Sequence, residues 1–323
     1  MAGGWHHEAV LYDGAGSYVE RLLPFLRAGI GRDEAIMVAV APDRIGLLTR
    51  ALGADADRVR FVDMRGMGRN PARIIPAWQA FVDAAGGRPA RGIGEPVWPG
   101  RTADELQECT LHEALLNVAF ADAAAFRLLC PYDRTRLPDR ALDSARATHP
   151  VIDEGVGGCP SGCFGGELPA PALSAVPGEA RRIGFDGQRL GDVRRAVADE
   201  ATQLDFSERQ RDTAVLAVNE LAANSVRHGG GHGELHIWSD GDELICEVRD
   251  AGVIGDRLAG RRRPDLEQLG GRGLWMVNQL CDLVQIRTPP ASAVNTVRVR
   301  IRAERARHGR DYERRARIAS ATR

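Results

Sequence analysis

From Gly155 the chain runs Gly-Val-Gly-Gly-Cys-Pro-Ser-Gly-Cys-Phe-Gly-Gly and then places prolines at 169, 171 and 177, a composition that sustains neither a long helix nor a long strand. This break divides the 323 residues into two stretches of different patterning, each long enough to bury a core of its own. Residues 6–154 form the first, 155–180 read as an interdomain linker, 181–302 form the second, and 303–323 are an arginine-rich tail, read as a solvated terminus.

In the first stretch short apolar runs alternate with amphipathic ones. Strands are expected at Glu8–Tyr12, Ala35–Ala41, Val59–Asp63, Arg91–Val97 and Phe126–Cys130. Helices are expected at Tyr18–Ala28, Asp43–Leu52, Pro71–Ala85 and Ala103–Ala121, with a fifth starting near Pro138. Strand-then-helix repetition with continuously apolar strands predicts a mostly parallel α/β sheet covered on both faces. The second stretch has a different order. A strand at Arg182–Phe185 and a helix at Leu190–Leu204 precede a longer helix, Ser207–His228, whose Ser207 and Gln210 are spaced as a capping box. Alternating strands Glu234–Ser239 and Glu243–Arg249 flank the turn signal Asp240-Gly241. A loop rich in Gly and Arg, a helix at Gly273–Cys281 and strands at Leu283–Arg287 and Thr296–Ile301 follow. This order predicts an α+β layer with antiparallel strands and helices on one face.

Composition excludes several classes. The formal net charge is −1, so no global field favours nucleic acid or an anionic membrane. All 43 basic residues are arginine, which fits coding bias and is given no function. No run approaches the ~18 apolar residues of a membrane span, and the start, Met-Ala-Gly-Gly-Trp-His-His, has no signal-peptide pattern. Six cysteines in a chain this long are no disulfide framework, and the chain reads as cytoplasmic. Cys109-x-x-His112 and Cys159-x-x-x-Cys163 have spacings that zinc ligands use, but each is a half-site without a second half, and no zinc is assigned to them.

Three elements of the second stretch carry chemistry. In Glu220-Leu-Ala-Ala-Asn224-Ser-Val-Arg-His228, residues 220, 224 and 228 share one helix face while Val218, Leu221, Ala222 and Ser225 turn to the sheet. A carboxylate one turn from a carboxamide is an oxygen pair suited to Mg²⁺, and the carboxylate can also accept a proton. The bland alternative is a solvated polar stripe. Asp250-Ala-Gly252 places an acceptor at a strand end, able to take an exocyclic amine, with a glycine beside it; alone it is more often a turn. Gly270-Gly271-Arg272-Gly273-Leu274 opens a helix, and bare amides at a helix start suit polyphosphate.

Taken in order, these elements resemble the N, G1 and G2 boxes of the GHKL ATP-binding superfamily, and the strand at Asn295-Thr296 resembles its last conserved strand, with Asn295 where glycine is usual. The resemblance covers about 180–302 and is to the anti-sigma-factor serine/threonine kinases; the helical hairpin and phosphoacceptor histidine of histidine kinases do not precede it. It implies a Bergerat-type sandwich binding ATP and Mg²⁺. Asn224 would bind the metal, Glu220 would act as general base on a partner's serine, and Asp250, with Gly252 and Thr296, would read adenine. Gly271, Arg272, Gly273 and Leu274 would form the phosphate loop, and Arg227 would line the phosphate side. His228 would either join Arg227 or act as a cation at the helix C-terminus. The implied partners are an RNA polymerase sigma factor and an anti-sigma-factor antagonist, with homodimerisation through this domain. A non-catalytic module that uses ATP to capture a partner is the alternative.

In the first stretch no Walker A motif occurs. The segments His7-Glu-Ala-Val-Leu-Tyr12, Pro24–Gly29, Gly94-Glu-Pro-Val-Trp98 and Cys130-Pro-Tyr-Asp133 resemble the MEDS sensory domain over about 6–150, which implies a RecA-like core without a P-loop and a small organic ligand. Tyr12, Glu95, Trp98, Tyr132 and Asp133 fall at or just after predicted strand ends, where ligands of open α/β sheets sit. Strand-end capping and ordinary core packing is the other reading of these five.

Overall fold

The computed structural model describes residues 4–165, 171–264, 271–288 and 294–304. They belong to two compact units, one up to Pro171 and one from Ala172.

The first unit holds β1 (Trp5–Tyr12), α1 (Gly14–Gly31), β2 (Ala35–Val40), α2 (Pro42–Leu52), β3 (Arg60–Asp63), α3 (Met64–Met67), α4 (Ile74–Ala84), β4 (Ala90–Gly94), α5 (Ala103–Ala119), β5 (Phe126–Asp133), α6 (Asp139–Thr148), β6 (Val151–Asp153) and β7 (Cys159–Pro160). Their sheet order is β3-β2-β4-β5-β1-β6-β7, parallel except for β7 against β6. This is the parallel α/β sheet that the alternation predicts. Strands such as Ala-Ile-Met-Val-Ala-Val in β2 are buried on both faces, so they carry no polar alternation. One face packs Val10, Tyr12, Val38 and Val40 against Tyr18, Leu22 and Leu26 of α1 and Leu48 of α2. The other face is aromatic, with the rings of Trp5, Phe120, Phe126 and Trp78 at centroid distances of 5.0–5.8 Å.

The second unit holds β8 (Arg181–Asp186), α7 (Leu190–Gln203), α8 (Glu208–His228), β9 (His232–Asp240), β10 (Glu243–Asp250), α9 (Arg272–Leu280), β11 (Leu283–Arg287) and β12 (Asn295–Arg302). The strands form an antiparallel sheet, β11-β12-β10-β9-β8. Helix α8 starts where the sequence places it: Ser207 accepts from the Gln210 amide, and the Gln210 side chain reaches back to the Ser207 amide. Its buried Ala214, Ala217, Val218, Leu221, Ala222 and Ser225 recur at helical spacing and lie against Leu235, Ile237, Val248 and Val297 of the sheet. The β9–β10 turn is Gly241-Asp242, since Asp240 pairs with Glu243 as the last residue of its strand.

The stretch read as a linker, 155–180, is divided between the units and in part structured. Cys159–Pro160 is a strand of the first sheet. Ser174 accepts from Arg298 of β12 through Oγ and the backbone oxygen, both at 2.7 Å, and Val176 and Ala180 pack with Trp238 and Ile245 on the sheet face away from the helices. The glycine and proline content excludes long elements, but it allows a short edge strand and an extended segment held from outside. The tail beyond Glu304 lies outside the described residues, as do Gly270 and the loop from 265. Among the described residues no helix is long and apolar enough to cross a membrane.

Candidate functional site

A cavity of about 620 Å³ opens in the second unit between α8, the end of β10, the loop 252–264 and the start of α9. Leu221, Val248, Ile254, Leu258, Leu274 and Val297 give it apolar walls, and Asn224, Asp250, Arg262 and Arg263 supply polar groups. Asp250 is the last residue of β10. Its Oδ2 accepts from Ser225 Oγ (2.6 Å), and its Oδ1 accepts from the Gly252 amide (2.8 Å) and from Asn295 Nδ2 (3.4 Å). A carboxylate has about four acceptor sites, so one remains for a donor in the cavity. Thr288 Oγ1 in turn donates to Asn295 Oδ1 at 2.7 Å. The backbone closes tightly here: a Cβ on Gly229 would stand 2.6 Å from Asp250 Cγ, and one on Gly252 would stand 3.0 Å from the His228 oxygen. Only glycine lets the two chain segments and the carboxylate share this space.

At the other end, Glu220 and Asn224 lie one turn apart on α8 and face Gly273. A Cβ there would be 3.0 Å from Glu220 Oε2 and 3.3 Å from Asn224 Nδ2. Gly271 caps α9 in the left-handed region with φ +76°. Arg227 donates to Asn224 Oδ1 at 3.0 Å, and its guanidinium is 3.9 Å from Glu220 Oε2.

Of the residues singled out from sequence, Asn224, His228, Asp250, Gly252, Gly271, Gly273 and Leu274 line this one cavity, with Glu220 at its border. Arg227 and Arg272 are exposed and outside the lining. Thr296 lies outside the lining: it pairs with Arg249, and its neighbours Asn295 and Val297 face the cavity. Ser225 was expected to serve the apolar face; it is buried there and orients Asp250. Asn295, Gly229, Arg262 and Arg263 were not picked out. The departure from glycine at Asn295 was the available signal for the first of these.

The five residues proposed at the ligand end of the first sheet do not form one group. Tyr12, Glu95 and Asp133 meet around Arg44, a buried residue of α2 that belongs to no motif of the sequence. Tyr12 donates to Glu95 Oε1 (2.9 Å), while Arg44 donates to Tyr12 Oη (3.1 Å) and Asp133 Oδ2 (3.2 Å). Tyr132 turns to the other face and donates to Glu113 Oε1 at 3.4 Å; there it lines a cavity of about 130 Å³ with Leu106, Thr110 and Ser144. Trp98 is covered by the Arg101 guanidinium, 3.6 Å from its ring centre.

Burial pushes the Glu95 carboxyl from its ordinary 4.5 up to about 7, against the opposing pull of Arg44 and the Tyr12 hydroxyl, and its Oε2 has no hydrogen-bond partner. The folded state therefore holds this proton where the unfolded chain has released it. The stabilisation is complete below pH 4.5 and lost as pH rises through about 7. Glu95→Gln removes the titration. Between pH 4.5 and 7 the wild type is expected to lose on the order of 3 kcal/mol relative to this variant, measured by urea unfolding of both proteins at each pH.

A family model of the MEDS domain, described as MEthanogen/methylotroph, DcmR Sensory domain, matches residues 6–150. A model of the histidine kinase-like ATPase domain matches residues 185–301, the span that contains the large cavity. No curated protein matches the chain. The chain thus joins a MEDS sensory domain, residues 6–150, to a histidine kinase-like ATPase domain, residues 185–301, and is a signalling protein with an ATP-binding module.

Proposed function

We propose that the cavity of the ATPase domain holds ATP with Mg²⁺ and that this domain is a serine/threonine protein kinase of the anti-sigma-factor type, governed by a small organic molecule at the MEDS domain. Its substrate would be an anti-sigma-factor antagonist, its second partner a sigma factor, and its assembly a homodimer. The residues suit the nucleotide. Asp250 keeps an acceptor site for the adenine amine, Gly229 and Gly252 let the backbone close around that carboxylate, and Leu221, Ile254 and Val297 give the cavity apolar walls. Asn224 Oδ1 is an oxygen donor for Mg²⁺, and Arg262 and Arg263 bring positive charge to the same cavity. Bound ATP would supply the transferable phosphoryl group.

The observation that carries the kinase reading is the pairing of Glu220 and Asn224 against Gly273. Glu220 Oε2 sits where it can take the proton of a partner's serine hydroxyl, and Asn224 holds the cation side one turn away. One contact favours a second reading, a non-catalytic ATP-dependent binding module. Arg227 donates to Asn224 Oδ1 and its guanidinium lies 3.9 Å from Glu220 Oε2, so a cation of the chain itself already engages both groups.

Transfer of γ-phosphate to an antagonist that co-purifies from the native host separates the two. For a kinase, Glu220→Gln is expected to lower transfer by about 100-fold or more while ATP affinity stays within about threefold. Wild-type protein that binds ATP–Mg²⁺ and phosphorylates no such partner is the binding module.

A further inference from the structure

A fully buried polar cluster of the first unit has no part in the nucleotide site. His7 on β1, Glu113 on α5, Cys130 on β5 and His149 just past α6 converge from four elements, and each is at most 1% exposed. One ligating atom from each lies within 4.8 Å of all the others. His7 Nε2 is 3.1 Å and His149 Nε2 is 3.4 Å from Glu113 Oε2, and Cys130 Sγ is 3.5 Å from both His7 Nε2 and Glu113 Oε2.

The arrangement is short of hydrogen-bond donors. Asn117 is fixed at both ends, since its Oδ1 accepts from Trp5 Nε1 (3.2 Å) and its Nδ2 donates to the Thr148 oxygen (2.8 Å). The same Oδ1 is 3.0 Å from His7 Nδ1, which must therefore carry the hydrogen. His149 Nδ1 faces the Ala145 carbonyl at 2.8 Å, an acceptor only, and must also carry one. In neutral rings both Nε2 atoms then present lone pairs toward a carboxylate oxygen, and the single thiol hydrogen of Cys130 is the sole donor among the four ligating atoms. A proton on one ring would satisfy one nitrogen and leave the other to the thiol hydrogen alone, 3.5 Å from His7 Nε2, and His149 Nε2 has no hydrogen-bond partner. Buried polar atoms in this state are costly unless a cation joins them.

We propose that His7 Nε2, Glu113 Oε2, Cys130 Sγ and His149 Nε2 bind one zinc ion in a four-coordinate site closed to outside ligands. Zinc bonds of about 2.0–2.3 Å at tetrahedral angles put donor atoms about 3.3–3.7 Å apart, close to the four separations of 3.1–3.5 Å above, with all four atoms within 4.8 Å of one another. Two imidazoles, a thiolate and a carboxylate suit zinc rather than Mg²⁺ or Ca²⁺. Binding releases the Cys130 thiol proton, and the thiolate and carboxylate then balance the two charges of the ion, so the buried site is neutral. Asn117 and the Ala145 carbonyl hold the two ring orientations from outside the ligand set. The ion would tie the central strands β1 and β5 to α5 and to the end of α6, beside the small cavity lined by Tyr132.

Full-length protein, purified without a polyhistidine tag, is expected to contain about one zinc per chain by elemental analysis. Exchanged for Co²⁺, it should show visible bands of tetrahedral strength and a near-ultraviolet thiolate charge-transfer band. Cys130→Ser should abolish that band, and the Cys159→Ser, Cys163→Ser double variant, which removes the exposed thiols, should keep it. Asn117→Ala leaves all four ligands in place and should weaken zinc by about 10–100-fold in chelator competition. Protein that takes up neither metal on refolding overturns the site. So does a charge-transfer band that survives Cys130→Ser or vanishes with Cys159 and Cys163, or an affinity unchanged by Asn117→Ala.

Discussion

Replacing Asp250 with asparagine is expected to weaken ATP binding about 100-fold with little change in thermal stability, as measured by calorimetry with Mg²⁺ on the full chain. The carboxylate is held by Ser225, Gly252 and Asn295. Asparagine can keep these bonds, its oxygen toward the Gly252 amide and its nitrogen toward the Ser225 hydroxyl. What it loses is the charged acceptor proposed for the purine amine. A hydrogen bond to a charged group is worth about 1.5–3 kcal/mol, and the upper part of that range corresponds to the expected loss. Guanine nucleotides, which carry a carbonyl where adenine has its amine, should bind the wild type poorly and discriminate less in the variant. An Asp250→Asn protein that binds ATP as the wild type does would remove the adenine from this end of the cavity.

The second large effect is one of stability. Arg298 and Glu247 pair on neighbouring strands of the second sheet at 2.5–2.7 Å, each 1% exposed at the side chain. The same guanidinium holds Ser174 and lies 5.1 Å from the Trp238 ring centre. Arg298→Ala leaves Glu247 buried with Arg249 as its remaining cation and frees the segment at Ser174. Breaking such a pair costs about 3–5 kcal/mol, so amides of β10 and β12 that open only with the whole domain should exchange about 1000-fold faster. The double variant Arg298→Met, Glu247→Gln removes both charges and should recover part of the loss, which a double-mutant cycle measures. An exchange rate unchanged in Arg298→Ala would show that the pair holds nothing together.

Much of the nucleotide cavity is legible in the sequence because its parts are local. Residues 220, 224 and 228 share a helix face by period alone, and Asp250 closes an alternating strand before a glycine. Where the sequence misleads, the error is one of pleat or of distance. Thr296 and Asn295 differ by one position, and in a strand one position changes the face. Ser225 sits among Leu221 and Ala222 and looks like core, although its hydroxyl orients the carboxylate. His7 and His149 are brought together from opposite ends of the first unit, and no local spacing announces them. The spacings that do invite a metal, at Cys109/His112 and Cys159/Cys163, belong to other surroundings: Cys109 donates to the Pro96 oxygen at 3.4 Å, and the other two cysteines are exposed. Arg44 was equally hidden, as an arginine near a helix start gives no hint that the fold encloses it.

Strand β5 carries consecutive residues into two unrelated polar assemblies. Cys130 and Tyr132 point toward Glu113, while Asp133 points through the sheet plane to Arg44. A strand is stiff along its length, and its side chains are fixed to it like pegs through a board. A slide or tilt of β5 would therefore be expected to change the spacing in both assemblies at once. The two polar assemblies of this domain thus hang on one length of backbone, one on each side of the board.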